Sequence, residues 1–216
     1  MTFRVRHILP LFGLATLLAT FLGAAMPAQA QTIIDQWNSI KTPPAPKLQP
    51  VTVDPASTAL LVLDFVKQTC NAQNRPRCLA SLPAERKLLD AARAANVLVV
   101  YSYVIGGTFA DTLPEVAPTG SEPNVQSGPD KFLNTNLDQI LKDHNIKTVI
   151  VTGTDAAGAV IHTADEAAFR GMNVVVPVDT MSASNPFAEK YVAFHFTYAP
   201  RVANVSTLTR VNMIKF

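Results

Sequence analysis

An aspartate closes an apolar run: Leu60-Leu61-Val62-Leu63 is followed by Asp64. A carboxylate so placed is either a cap or turn residue or an acid–base group at the edge of a sheet. A second stretch has the opposite character. Behind the apolar run 148–152, Gly153-Thr154-Asp155-Ala156-Ala157-Gly158-Ala159 offers backbone N–H groups where a helix begins, a setting that stabilises developing negative charge. The N–H groups of Asp155, Ala156, Gly158 and Ala159 are the candidates for that role. Yet Ala156, Ala157, Gly158 and Ala159 cannot attack a carbonyl, ligate a metal or transfer a proton. Any chemistry must therefore come from neighbouring segments. Asp64, Tyr103 and Asp179 each end an apolar run, and His162 shares the helix of Ala159 and is a pocket candidate. Asp179 is expected to order the turn that follows it.

The remaining reactive types are sparse. Cys70 and Cys78 flank the polar segment 71–77, and the chain has no other cysteine. In an oxidising compartment they read as a local disulfide; the alternative, Cys70 as a free nucleophile, needs a nearby base and an electropositive setting. Two cysteines with no adjacent histidine fall short of a zinc ligand set, and His144, His162 and His195 are too scattered to form one, so no metal is expected. Segment 153–158 has the outline of a phosphate loop, but no Lys-Ser/Thr follows and the dinucleotide-binding glycine spacing is missing, so no nucleotide cofactor is expected. Thr163, one helical turn beyond the glycine turn, is expected to bond an i−4 carbonyl or cap a contact.

The N-terminus sets the compartment. Arg4, Arg6 and His7 precede an almost wholly apolar run from Ile8 to Met26, which ends in Ala28-Gln29-Ala30. The run is nearly long enough for a membrane anchor, but Pro10 interrupts it and Ala28-x-Ala30 supplies the small residues that a signal peptidase needs. A signal peptide over 1–30, cleaved after Ala30, is expected; the product is periplasmic or secreted and keeps no stable membrane anchor. Cleavage removes two of the 18 basic residues and none of the 16 acidic ones, so the remainder is formally neutral. A neutral domain lacks the field that draws phosphate backbones, which argues against nucleic acid as a partner and for a small molecule. Roughly 186 residues remain, enough for one domain.

Segment 31–56 holds five prolines and no sustained apolar period, so an extended arm is expected there, with Trp37 to anchor it. The domain should occupy 57–216. Its apolar runs at 59–65, 97–104, 147–152 and 173–178 alternate with helical patterns at 83–95, 134–144, 157–170 and 186–198, and a short strand is expected at 205–208. Strands that are apolar throughout, alternating with helices, pair in parallel under helices on both faces. The expected fold is a doubly wound, three-layer α/β sandwich with a mainly parallel sheet. Ligands of such a sheet bind at the carboxyl ends of its strands, which again selects Asp64, Tyr103, the 153–159 turn and Asp179. Segment 105–130, with four prolines and paired glycines, reads as a long lid or site-forming loop.

Several motifs in order resemble the isochorismatase-like cysteine hydrolases. They are Ala59-Leu-Leu-Val-Leu-Asp64-Phe, Lys131-Phe-Leu-Asn-Thr-Asn-Leu137, Thr148-Val-Ile-Val-Thr-Gly153, Ala159-Val160-x-x-Thr163-Ala164 and Gly171. The resemblance runs from about Ser57 to the C-terminus. It implies a parallel α/β fold, self-association through helices and a catalytic Asp, Lys and Cys. The Asp falls on Asp64 and the Cys on Ala159. The family's usual lysine position falls on Gln126, and Lys131 reaches the same space only over a shorter loop. A cis peptide is implied between Asp155 and Ala156.

With a methyl group at 159, thioester chemistry is excluded unless Cys70 supplies the thiol from elsewhere. True isochorismatases, which cleave a vinyl ether, are similar in carrying a small residue there and rely on the Asp as acid. For that role burial must raise the pKa of Asp64, while a neighbouring Lys131 would lower it. Two functions are therefore expected: an exported, cysteine-independent hydrolase acting on a small molecule, or a non-catalytic relative that keeps the fold for binding or as a scaffold. An exported location is unexpected for chorismate chemistry, which favours another substrate or the non-catalytic role.

Overall fold

The computed structural model describes residues 30–216, so the expected signal segment lies outside the described residues save for Ala30. The chain divides into two compact units, up to Pro43 and from Pro44 to Phe216. In the first, a short helix α1 (Ile33–Gln36) opens where the Asp35 carboxylate accepts the Thr32 N–H at 2.8 Å. Trp37, expected to anchor the arm, is an exposed side chain.

The second unit contains both the core and the second half of the proline-rich segment. That half is not a free arm: β1 (Val51–Thr52) pairs in parallel with β9 (Ile214–Lys215), and Val53 is buried. The main sheet is built from β2 (Thr58–Leu63), β3 (Leu98–Tyr103), β4 (Asn124–Gln126), β5 (Thr148–Thr154), β6 (Asn173–Pro177), β7 (Met181–Ser182) and β8 (Ser206–Thr209). It has seven strands in the order β4-β3-β2-β5-β6-β8, with β7 on the end of β5, and every pairing is parallel. The alternation of β2 divides the core. Leu60 and Val62 pack under α2 (Pro76–Ala94), whereas Ala59, Leu61 and Leu63 face α3 (Leu137–Asp143), α4 (Ile161–Phe169) and α5 (Pro186–Tyr198). This is the expected three-layer parallel fold. The chain runs from β2 outward to β3 and β4 and then returns to β5 beside β2, so the crevice between the ends of β2 and β5 is the topological switch point.

Three local elements differ from the sequence reading. Helix α2 starts at Pro76, seven residues before the expected start, and carries Pro83 inside it. A proline opens a helix at either place; Pro83 is tolerated because the carbonyl it leaves without a donor belongs to Leu79, on the exposed face. The first turn of the expected 157–170 helix is a wide π-type turn over Ala156–Val160, in which Ile161 N–H reaches the Ala156 carbonyl. The 105–130 segment is not wholly irregular: it contains β4 and two single turns, Phe109–Asp111 and Pro114–Val116.

Candidate active site

Asp64 sits one residue past β2 with φ of 56°, a left-handed conformation that aspartate tolerates better than most side chains. That residue ends the strand and turns the carboxylate into the sheet. Gly153, its neighbour on β5, has φ of 131°, and a Cβ there would lie 2.2 Å from the Leu63 carbonyl oxygen. Only glycine lets the two strands close beside Asp64. Asp64 is 4 % exposed. Ser102, in register with Leu63, donates its hydroxyl to Oδ1 at 2.7 Å, and Lys131 Nζ lies 2.7 Å from Oδ2.

Lys131 is fully buried, and its remaining donors meet the Gly128 carbonyl at 2.9 Å and the Ser127 carbonyl at 3.4 Å. The loop that delivers it is held by its own polar groups. Ser127 Oγ donates to the Asp130 carbonyl, Thr135 Oγ1 donates to the Lys131 carbonyl, and Thr163 Oγ1 accepts the Lys131 N–H at 3.2 Å. Thr163 therefore ties helix α4 to the lysine loop rather than bonding back along its own helix. Burial pushes the Asp64 carboxyl above the ordinary carboxylate range; Lys131, Ser102 and Arg75 oppose the shift without cancelling it.

A pocket of about 380 Å³ opens at this end of the sheet, lined by Asp64, Thr69, Arg75, Val104, Ile105, the 127–129 loop, Thr154, Asp155, Gly158 and Ala159. The structure thus brings Asp64 and Ala159 to one cavity, with Lys131 beneath Asp64. The cis peptide lies between Thr154 and Asp155, one bond earlier than expected. Two turn N–H groups are already committed: Ala157 N–H to Asp155 Oδ1 at 2.8 Å, and Gly158 N–H to the Asp155 carbonyl at 3.0 Å. Gly158 is therefore not a free donor for an oxyanion.

Tyr103 and His162 fall outside this pocket. Tyr103 is buried edge-on against Phe109, with ring centroids 5.9 Å apart, because its strand alternation turns it toward the α2 side. His162 points to solvent because α4 buries Ile161, Thr163 and Ala164 instead. Gln126, on β4, donates to the Gly107 carbonyl and stays away from Asp64. Asp179 receives the Val211 N–H at 3.1 Å, so it fastens the C-terminal segment rather than its own turn. Cys70 and Cys78 form the disulfide, and no cysteine is free. Among the described residues no cluster of three or more His, Cys, Asp or Glu side chains gathers, and no helix is long and apolar enough to cross a membrane.

Sequence reasoning missed Ser102, Arg75 and Thr69. Ser102 had a signal, since a lone polar residue inside the apolar run 97–104 must find a partner when buried. Arg75 was hidden in a segment that reads only as a disulfide loop. Thr69 carried no signal, because its hydroxyl bonds the Asp64 carbonyl only once the chain has turned.

The structure is thus a three-layer parallel α/β fold with a buried Asp–Lys pair at its switch point. Residues 58–210 match the isochorismatase domain model, so the chain belongs to the isochorismatase family of hydrolases. The N-carbamoylsarcosine amidase of Arthrobacter sp is 29% identical over 133 residues, 49% of this chain and 50% of that protein; the match spans only half of the amidase's length. The secreted isochorismatase effector Isc1 of Verticillium dahliae is 27% identical over 144 residues, 61% of this chain and 76% of that protein. Among solved structures, the cysteine hydrolase from Pseudomonas syringae pv. phaseolicola 1448A superposes with a TM-score of 0.66 at 20% identity, covering 77% of this chain and 94% of that one.

Proposed function

We propose that this protein is an exported hydrolase that cleaves a small molecule, of the enol-ether type, by acid catalysis from Asp64 without a cysteine nucleophile. The observation that carries this reading is a buried carboxyl with a raised pKa that lines the same pocket as Ala159. Protonated Asp64 transfers its proton to the terminal carbon of a vinyl ether. Water adds to the resulting oxocarbenium ion and returns a proton to Asp64. The hemiketal then collapses to an alcohol and a carbonyl compound, consuming one water. Lys131 fixes the carboxyl and limits its basicity between turnovers, and the methyl of Ala159 leaves room for the substrate. Export is supported by the N-terminal pattern, by the disulfide and by the secreted relative.

The test is turnover of a panel of vinyl ethers in D₂O, reading the released carbonyl compound. Wild-type protein should yield a product methyl carrying one solvent deuterium, and Asp64→Asn should lower kcat by about 10³; undiminished turnover in that variant defeats the mechanism. One observation favours a pocket that binds without catalysis: Ser102 and Lys131 already engage both oxygens of Asp64. Under that reading ligands bind equally to wild type and Asp64→Asn, and neither turns over.

A further inference from the structure

The pocket holds a second cation that acid catalysis by Asp64 does not use. Arg75 precedes the first residue of α2 and lines the cavity together with Asp64. Its backbone is fixed on both sides. The Arg75 N–H donates to the Asn71 carbonyl at 2.9 Å, and its carbonyl accepts the Cys78 N–H at 3.0 Å. Asn71 Oδ1 in turn accepts the Gln73 and Asn74 N–H groups, and the buried disulfide from Cys70 to Cys78 clamps both ends of the segment.

The side chain, in contrast, is barely committed. Its one partner among the described residues is Asp155, with Nε 3.5 Å from Oδ2, longer than a good hydrogen bond, and the side chain is 26% exposed. Its two Nη groups make no hydrogen bond to the described residues. A guanidinium fork with open Nη donors matches a carboxylate in bidentate fashion, which a single long contact to Asp155 does not. Lys131, the other cation at the site, has acceptors for all its donors. Val104, Ile105 and Pro129 make part of the wall apolar. The Asp155 carboxylate, already beside the guanidinium, opposes a doubly charged group, so a monoanion fits better than a phosphate.

We propose that Arg75, presented by the disulfide-closed 70–78 segment, is a specificity-determining residue that binds a carboxylate on a small, apolar-bodied substrate. This rests on the reading that the cavity is a substrate site, but not on turnover. The probes are benzoate and phenylacetate, each titrated calorimetrically against its primary amide at pH 7 and low salt. Wild-type protein should bind each carboxylate at least tenfold more tightly than its amide. Arg75→Gln, at unchanged melting temperature, should abolish that preference and leave the amide affinities within about twofold, and Arg75→Lys should keep part of it. Asp64→Asn should retain the preference, so failure of the acid mechanism and failure of this assignment are told apart. Equal binding of carboxylate and amide by wild type, absence of binding by either, tighter binding of phenyl phosphate than of benzoate, or a preference that survives Arg75→Gln would each overturn it.

Discussion

Two carboxyl groups are buried against opposite faces of the sheet, and both are pushed toward their protonated form by burial. Their neighbours separate them. Asp64 has Lys131 and Ser102, whereas Glu85, wholly buried on α2, has only the Thr152 hydroxyl at 2.9 Å. Thr152 Oγ1 also lies 2.9 Å from the Leu61 carbonyl, and its single proton cannot serve both acceptors. The consistent arrangement has Thr152 donating to Leu61 and a protonated Glu85 donating to Thr152. That agrees with a carboxyl pushed up to about 8 by burial and assisted by the charge of Asp179. A carboxyl raised in the folded state keeps its proton where the unfolded chain has lost it. Its contribution to stability is therefore complete below the unfolded pKa near 4.5 and is lost as pH rises to about 8. Glu85→Gln keeps a donor to Thr152 and cannot ionise. Thermal unfolding should show the variant within about 2 °C of wild type at pH 5 and several degrees above it at pH 8.5. Parallel melting curves across that range would remove the protonated Glu85. Nothing in Ala84-Glu85-Arg86-Lys87 marks the glutamate as the buried member, since the choice is made by the sheet that α2 covers.

At the scale of the elements, β2 and β5 act as one unit, because Asp64 is aimed by the close approach of Gly153 to Leu63. Gly153→Ala would set a Cβ 2.2 Å from a backbone oxygen at a φ that alanine resists, and backbone cannot yield as a flexible side chain does. The expected cost is about 3 kcal/mol or more in urea unfolding, with loss of any ligand binding at the pocket; wild-type stability would show that the strands can part freely. The strands themselves were legible in the sequence. A parallel strand buried on both faces is a continuous apolar run, and β2, β3, β5 and β6 all are. The 105–130 loop was not, because distant partners order it: Arg93 pairs with Glu122 at 2.7 Å, and Tyr101 donates its hydroxyl to the Val116 carbonyl at 2.9 Å. The meeting of Lys131 with Asp64 has the same origin. The resemblance placed the aspartate on Asp64 but the usual lysine position on Gln126, with Lys131 reaching that space only over a shorter loop; the loop geometry lies in the Ser127, Gly128 and Thr163 contacts, which no local pattern announces.

Across the whole second unit, the sheet's topology explains why one end holds the site and the other end does not. The β2–β5 switch point opens a crevice only where strands end in Asp64 and Asp155, and the pocket lies there. The two chain ends of this unit meet elsewhere. Gln49 N–H donates to the Leu208 carbonyl at 2.8 Å, Val53 N–H donates to the Lys215 carbonyl at 2.9 Å, and Leu48 packs against the core. The proline content of this segment suggested an arm before the domain, yet prolines at 44, 46, 50 and 55 leave the N–H groups of Gln49 and Val53 free to pair. The segment from 44 is thus part of the fold. Chains beginning at Pro44 and at Ser57 should differ in stability, because the shorter one loses the burial of Val53, worth about 2 kcal/mol, and at least the two backbone hydrogen bonds of Gln49 and Val53 at about 1 kcal/mol each. A melting temperature lower by about 10 °C is expected for the chain that starts at Ser57. None of the deleted residues lines the Asp64 pocket, so ligand binding well below the melting temperature should be retained. Equal melting temperatures would mean that β9 and the edge of β8 stand without β1.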